Sequence, residues 1–183
     1  MATQAEKYFL ALVPEGNIQS EATALKEEMR DLFGVKYALK SPAHVTIKMP
    51  FIYNGFKEDR LIAKLEKFLA GFSPFDLSFH GFDRFGKRVI FVALRPSEAL
   101  NNLQESLATF CKEELKLVKE LSDRAFHPHM TIAFKDLKPK NFDSYWDHFK
   151  KKRFSARYSA KDVALLKRTA GRWEVIHRFT LKG

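Results

Sequence analysis

The pattern His-x-Thr followed by an apolar residue occurs twice, as His44-Val45-Thr46-Ile47 and as His129-Met130-Thr131-Ile132. With 6 His and 7 Thr among 183 residues, chance gives about 6 × 7 / 183 ≈ 0.23 such spacings, so two of them mark a design rather than an accident. In a strand, residues i and i+2 share a face, about 6.6 Å apart, and the residues between them face the other way. Val45, Ile47, Met130 and Ile132 then belong to a core. His44, Thr46, His129 and Thr131 form polar walls. One such pair alone reads best as an ordinary strand with a satisfied polar face, but the two together read as a site.

Two imidazoles and two hydroxyls suit the cleavage of a phosphodiester. One imidazole takes the proton of the attacking oxygen and the other gives one to the leaving oxygen, both near neutral pH because the free side chain titrates near about 6.5. Such a pair predicts a bell-shaped pH–rate profile with its optimum roughly between pH 6 and 8. Threonine hydroxyls can donate to the non-bridging oxygens, where charge builds up. His44 and His129 are thus the candidate catalytic residues, with His44 as acid and His129 as base for a working assignment, although sequence leaves the two roles interchangeable. Thr46 and Thr131 are candidate phosphate-binding residues. Lys48, two positions past Thr46, is expected on the same strand face and joins them. Arg84, Lys87, Arg88, Lys135, Arg168 and Arg172 are further cations within reach of a phosphate or base. His127 and His129 stand two apart, but no Cys or His cluster completes the three or four ligands a zinc site needs, so no metal and no cofactor is expected. His80, His148 and His177 read as surface or satisfied residues, and Phe51, Phe82 and Phe85 as core before base-stacking groups.

The elements that must carry these residues can be read from periodicity. Residues 8–13 form an apolar strand that ends at Pro14 and Gly16. Ile18, Ala22, Leu25, Met29 and Leu32 then recur as the stripe of a helix stopped by Gly34. The turn Ser41-Pro42 leads into a short extended segment at 44–47. A helix is expected over 61–69, a strand over 75–79, a hairpin turn around Gly86 and a strand over 89–94. Leu100, Leu103, Leu107, Phe110, Cys111, Leu115 and Val118 mark a long helix over 97–120. An extended stretch at 126–134, a short helix over 142–149, and strands near 163–166 and 173–181 complete the chain. Strand, helix and HVTI strand in the first half are echoed by strand, helix and HMTI strand in the second, at an offset of 129 − 44 = 85 residues. Two similar lobes facing one another follow from this repeat. The fold class is α+β, with two pseudo-symmetric lobes, each an antiparallel sheet with outer helices, around a central cleft, in a single bilobal domain over residues 1–183.

Composition agrees with an anionic ligand. The formal net charge is +10, which draws polyanions such as RNA or nucleotides. The run Lys150-Lys151-Lys152-Arg153 reads first as a solvated helix end. The 18 Phe favour packed β-structure around a well-defined core. The single cysteine, Cys111, excludes an intrachain disulfide and falls on the apolar side of its helix, so it reads as core and not as a nucleophile. No stretch reaches the ~18 apolar residues of a membrane span, and the first residues do not resemble a cleaved leader. A cytoplasmic monomer acting on RNA or nucleotides, away from membranes, is expected.

The segments HVTIKMPF (44–51) and FHPHMTIAF (126–134) resemble the paired motifs of the two-histidine (2H) phosphoesterase superfamily, which includes the 2′-5′ RNA ligase-like proteins and the RNA 2′,3′-cyclic phosphodiesterases. The resemblance covers most of the chain. It implies two pseudo-symmetric α+β lobes, with both His and both Thr lining the cleft. It also implies a phosphodiesterase acting on 2′,3′-cyclic phosphates, opened to the 2′-phosphate, or on 2′-5′ linkages. Two positions depart from the cyclic-phosphodiesterase branch. An Arg commonly follows the second motif there, where this chain has Phe134 and Lys135, and a Phe-Leu-Gly stretch follows the first, where this chain has Lys48-Met49-Pro50-Phe51. The competing reading is a non-catalytic RNA-binding module that uses the same basic cleft, and the presence of both His favours the enzyme.

Overall fold

The computed structural model describes residues 3–118 and 121–183. The elements follow in the order β1 (Ala5–Leu12), α1 (Asn17–Phe33), β2 (Val45–Asn54), α2 (Glu58–Leu69), β3 (Phe75–Phe85), β4 (Val89–Leu94), α3 (Glu98–Glu113), α4 (Leu121–Arg124), β5 (His129–Phe134), α5 (Phe142–Phe149), β6 (Ser155–Ala160), β7 (Asp162–Thr169) and β8 (Arg172–Thr180). The strands pair in one curled antiparallel sheet in the order β6-β3-β4-β5-β2-β1-β7-β8. The expected α+β class is observed. The two halves of the sheet, β6-β3-β4-β5 and β2-β1-β7-β8, are continuous at a seam where β2 meets β5 through the pair Val45 and Met130.

That seam joins the two HxT segments. Val45, Ile47, Met130 and Ile132 are all at most 3% exposed, as the alternation requires. They join a core that includes Leu100, Leu103 and Leu107 of α3, Ala22 and Met29 of α1, and Phe142, Tyr145 and Phe149 of α5. α1 packs on β5 and α3 on β2, so each long helix covers a motif strand of the opposite half. A smaller cluster, Phe9, Ala11, Val13, Ala164 and Leu166 with Trp173 and Val175 against it, covers part of the other face. This explains why residues 8–13 are apolar without alternation, since β1 is buried on both faces.

The same irregularity occurs in both motif strands. On β2, Thr46 lies opposite Ala11 and Lys48 opposite Leu10, so two steps along β2 match one along β1. On β5, Thr131 lies opposite Phe91 and Ala133 opposite Ile90. An extra residue of this kind ends the alternation and turns two consecutive side chains to one side. Ile47 and Lys48 are therefore both buried, as are Ile132 and Ala133.

Several boundaries differ from the periodic reading. β2 continues to Asn54 and β3 to Phe85, because pairing with β1 and β4 carries both strands past their apolar stretches. The edge strand β6 pairs along β3 and turns Ala156, Tyr158 and Ala160 towards the core, an alternation that the periodic reading passes over because two of its three members are small. α3 stops at Glu113, earlier than the expected residue 120. Lys116 then takes a left-handed backbone with φ 58°, which a helix cannot continue through, and Val118 is 78% exposed rather than part of a stripe. Positions 119 and 120 of the expected helix lie outside the described residues. Gly34 ends α1 as read from sequence, with φ 69° and its N–H donating to the Arg30 carbonyl.

Candidate active site

β2 and β5 are antiparallel with Val45 opposite Met130. That register sets His44 beside Thr131 and Thr46 beside His129 on the face away from the core. Directly opposed side chains in such a pair lie about 5 Å apart at Cβ and diagonal ones about 7–8 Å apart. The two imidazoles thus occupy one diagonal of a small rectangle and the two hydroxyls the other. All four line one cleft of about 400 Å³.

Each ring is oriented by its own approach segment. His44 Nδ1 lies 2.7 Å from the Pro42 carbonyl, and His129 Nδ1 lies 2.7 Å from the His127 carbonyl. A carbonyl only accepts, so Nδ1 must carry the hydrogen in both rings, and Nε2 is the lone-pair nitrogen at the opposite end. His127 braces the motif strand with its backbone oxygen. Aromatic rings hold the imidazoles from the side. Phe9 of β1 packs 4.9 Å from His44, while Phe85 and Phe91 pack 4.9 and 5.1 Å from His129. Burial among these groups lowers the His44 pKa to about 4, against the partial opposition of the Pro42 hydrogen bond and with help from the nearby Lys26 and His129 charges. Burial also lowers the His129 pKa. At neutral pH both rings are predominantly neutral, with Nε2 ready to accept a proton.

The walls of the cleft are basic and aromatic. Lys7, Lys40, Lys135 and Arg168 line it together with Tyr37 and Trp173. Lys135, at φ 67°, holds a left-handed backbone that a non-glycine residue rarely adopts, just past the end of β5. Its Nζ donates to the Tyr37 hydroxyl at 3.2 Å, and this bond lowers the Tyr37 pKa. The Asp136 carboxylate accepts the backbone N–H of Lys36 and of Tyr37, at 2.8 and 2.9 Å, and so ties the turn before β2 to the end of β5. Arg168 stacks over Trp173 at 5.9 Å.

Lys48 is the exception among the expected site residues. The extra residue in β2 turns it away from the cleft and into the core, where its Nζ meets the Asp123 carboxylate at 2.7 Å with both side chains 2% exposed. The expectation that it shares the face of Thr46 assumes an unbroken period of two, and the irregular register removes that assumption. Of the other cations, Lys135 and Arg168 reach the cleft. Arg84 lies over the rings of Trp146 and Phe142, and Arg172 donates to the Leu39 carbonyl. Phe51 and Phe82 pack with the core. His148 and His177 are satisfied by Glu28 and Glu66. Cys111 is buried, and burial raises its thiol pKa to about 12, as suits a core residue. Phe9 and Trp173 read from sequence only as strand residues, and neither they nor Tyr37 and Lys40 are among the expected site residues. A Tyr between Lys36 and Lys40, just after a helix stop, was the available signal for a cleft wall. Among the described residues, no three His, Cys, Asp or Glu side chains gather to hold a metal ion, and no helix is long and apolar enough to cross a membrane.

Comparisons with known proteins bear on the family and the fold. The sequence profile of the 2′-5′ RNA ligase superfamily matches residues 14–172, which include both motifs. A protein of Geobacillus sp. (strain WCH70), provisionally named a phosphoesterase, is 30% identical over 129 residues, or 69% of this chain and 68% of that one. Among solved structures, TT0787 of Thermus thermophilus superimposes with a TM-score of 0.68 at 17% identity, over 97% of this chain and 98% of that one. E. coli LigT in its apo form does so with a TM-score of 0.65 at 15% identity, over 99% and 100%. LigT complexed with 3′-AMP gives a TM-score of 0.64 at 16% identity, over 99% and 100%. The likeness to these structures is one of fold. The profile match over most of the chain and the Geobacillus relative place the protein in a family: it belongs to the 2′-5′ RNA ligase superfamily of two-histidine phosphoesterases.

Proposed function

We propose that the protein is a metal-independent phosphodiesterase that acts on 2′,3′-cyclic phosphates, or on 2′-5′ linked RNA or nucleotides, by paired-histidine acid–base catalysis. One observation carries the reading: both Nδ1 atoms are tied to carbonyls, so both Nε2 atoms are left for the same cleft, with a Thr hydroxyl beside each ring. His44, His129, Thr46 and Thr131 act together on one phosphate. The Thr hydroxyls donate to its non-bridging oxygens as negative charge builds up. One Nε2 removes a proton from water as the water oxygen bonds to phosphorus. The other delivers a proton to the ester oxygen as its bond to phosphorus breaks. For a 2′,3′-cyclic phosphate, departure of the 3′ oxygen gives the 2′-phosphate.

The acid must hold a proton on Nε2, and a bound phosphate anion favours that by its charge. Of the two rings, His44 is the more strongly deprotonated. The electrostatics therefore favour His129 as acid and His44 as base, the reverse of the working assignment from sequence. Because burial lowers both values, the optimum of kcat/KM, which reports the free enzyme, lies on the acid side of about pH 6.5 instead of between 6 and 8.

Lys7, Lys40, Lys135 and Arg168 supply positive charge for a polyanionic substrate, and Tyr37 and Trp173 offer rings for a base. LigT, which shares the fold, has been crystallised with 3′-AMP, with NADP+ and with ATP, which supports a nucleotide-type ligand here. A non-catalytic RNA-binding module would need the cations and rings but not two oriented Nε2 atoms. The deciding experiment is product analysis over a panel of 2′,3′-cyclic nucleotides and 2′-5′ and 3′-5′ dinucleotides. Turnover of a cyclic nucleotide to the 2′-phosphate is the expected result. Formation of only 3′-phosphate overturns the regiochemistry, and tight binding without turnover across the panel overturns the enzyme.

A further inference from the structure

Among the described residues, the buried polar or charged side chains are Lys26, Lys48, Gln104 and Asp123. Burying a charge or an amide is unfavourable unless hydrogen bonds compensate. All four are engaged with the two stretches of chain that lead into the catalytic pair.

The first stretch runs to His44 through Ser41, Pro42 and Ala43. Each of its three carbonyls has its own donor. Lys26 Nζ donates to the Ser41 oxygen at 3.0 Å and to the Ala38 oxygen at 3.1 Å. His44 itself holds the Pro42 oxygen. Gln19 Nε2 donates to the Ala43 oxygen at 3.0 Å, and Gln19 Oε1 accepts the Ala43 N–H at 2.8 Å. Gln19 Nε2 also reaches the Pro14 oxygen at the end of β1. The second stretch leads to His129 through residues 121–128. Lys48 Nζ bonds the Asp123 carboxylate and lies 3.4 Å from the Val118 oxygen, while Gln104 Nε2 donates to the Asp123 oxygen at 3.3 Å. Gln19 precedes His44, and Gln104 precedes His129, by the same interval (44 − 19 = 129 − 104 = 25), one from α1 and one from α3. Each approach segment is thus held by one buried lysine and one helix glutamine.

We propose that Lys26 with Gln19, and Lys48 with Gln104 and Asp123, are positioning residues that fix the approach segments of His44 and His129, so that each ring keeps its Nδ1–H on a carbonyl and its Nε2 in the shared cleft. The effect on turnover rests on the catalytic reading above, but the effect on the rings does not. A carbonyl freed from its lysine or glutamine can move by a fraction of an ångström, and a displacement of about 1 Å at a catalytic group costs up to about a hundredfold in rate.

The test uses protein labelled with 15N in its histidine rings, in wild type, Lys26→Met, Gln19→Leu, Gln19→Glu and the double variant Lys48→Met/Asp123→Leu, which removes both members of the buried pair at once. NMR reads the tautomer of each ring, and steady-state kinetics on a 2′,3′-cyclic nucleotide reads kcat and KM. Circular dichroism identifies the variants that fold. Gln19 is only half-buried, so its variants carry the test if Lys26→Met does not fold. Wild type should show both rings as the Nδ1–H tautomer. Lys26→Met and Gln19→Leu should populate a second tautomer at His44 only, with kcat lower by roughly ten- to a hundredfold and KM changed by less than about threefold. Gln19→Glu keeps the acceptor for the Ala43 N–H and should fall between Gln19→Leu and wild type. The double variant should disturb His129 and not His44. Folded variants with wild-type tautomers at the ring concerned overturn the proposal, whatever their activity. Altered tautomers in protein without turnover, wild type included, leave the positioning in place and overturn the catalytic reading instead.

Discussion

Acid should weaken the fold through His44, by an amount that follows from its surroundings. In the folded chain burial holds the ring neutral down to about pH 4, whereas an unfolded histidine takes up a proton near about pH 6.5. Above that pH the ring is neutral in both states and adds no pH dependence. As pH falls from about 6.5 towards 4, the unfolded chain binds a proton that the folded chain refuses, and stability is lost. The loss is complete below the folded value. A gap of about 2.5 pH units corresponds to about 3.4 kcal/mol. Because the ring is half-buried and faces an open cleft, solvent screening reduces this to roughly 2 kcal/mol. The assay is urea unfolding of wild type and His44→Gln at pH 7.5, 6.5, 5.5 and 4.5. Carboxylates held by cations, such as Glu28 and Glu58, also weaken the fold in acid, but they do so in both proteins and cancel in the difference. Wild type minus variant should be flat above about pH 7 and should fall by roughly 2 kcal/mol by pH 4.5. A difference that stays constant over the whole range, or that grows as pH falls, refutes the view that the fold desolvates His44 in its neutral form.

In kinetics, His44→Ala and His129→Ala should each lower kcat by roughly 10²–10⁴, the scale of one general acid or base. Thr46→Val and Thr131→Val should cost about one to two orders of magnitude through a lost donor to the phosphate oxygens; a folded His variant with near wild-type turnover ends the two-histidine mechanism. Turnover should survive dialysis against EDTA, since the proposed chemistry uses only side-chain proton transfer and hydrogen bonding. Activity lost to the chelator and restored by a divalent ion would require a metal-based mechanism.

The sequence by itself determined the motif strands and which of their side chains share a face. A period of two forces His44 with Thr46, and His129 with Thr131, onto the faces opposite Val45, Ile47, Met130 and Ile132, and the burial of these four residues follows that rule. The helices α1 and α5 and the place of Cys111 were legible for a similar reason, because a 3.6-residue apolar stripe is a local property. Local rules end where a neighbouring strand decides. The fate of Lys48 depends on the register between β2 and β1, and the extra residue that turns it towards Asp123 is a feature of the pair of strands, not of either alone. β6 alternates only over Ala156, Tyr158 and Ala160, two of them small, and that weak local pattern becomes a strand because β3 offers it an edge. Lys26 reads as one more charged residue on a surface helix until the turn at 38–41 folds over it and supplies two carbonyls. The lowered pKa of His44 likewise has no local cause, since it comes from desolvation by groups distant in the chain, among them Phe9. Residue types and spacing say which atoms can do the chemistry. Only the packing of distant segments sets which of those atoms are buried, which are charged and which face one another.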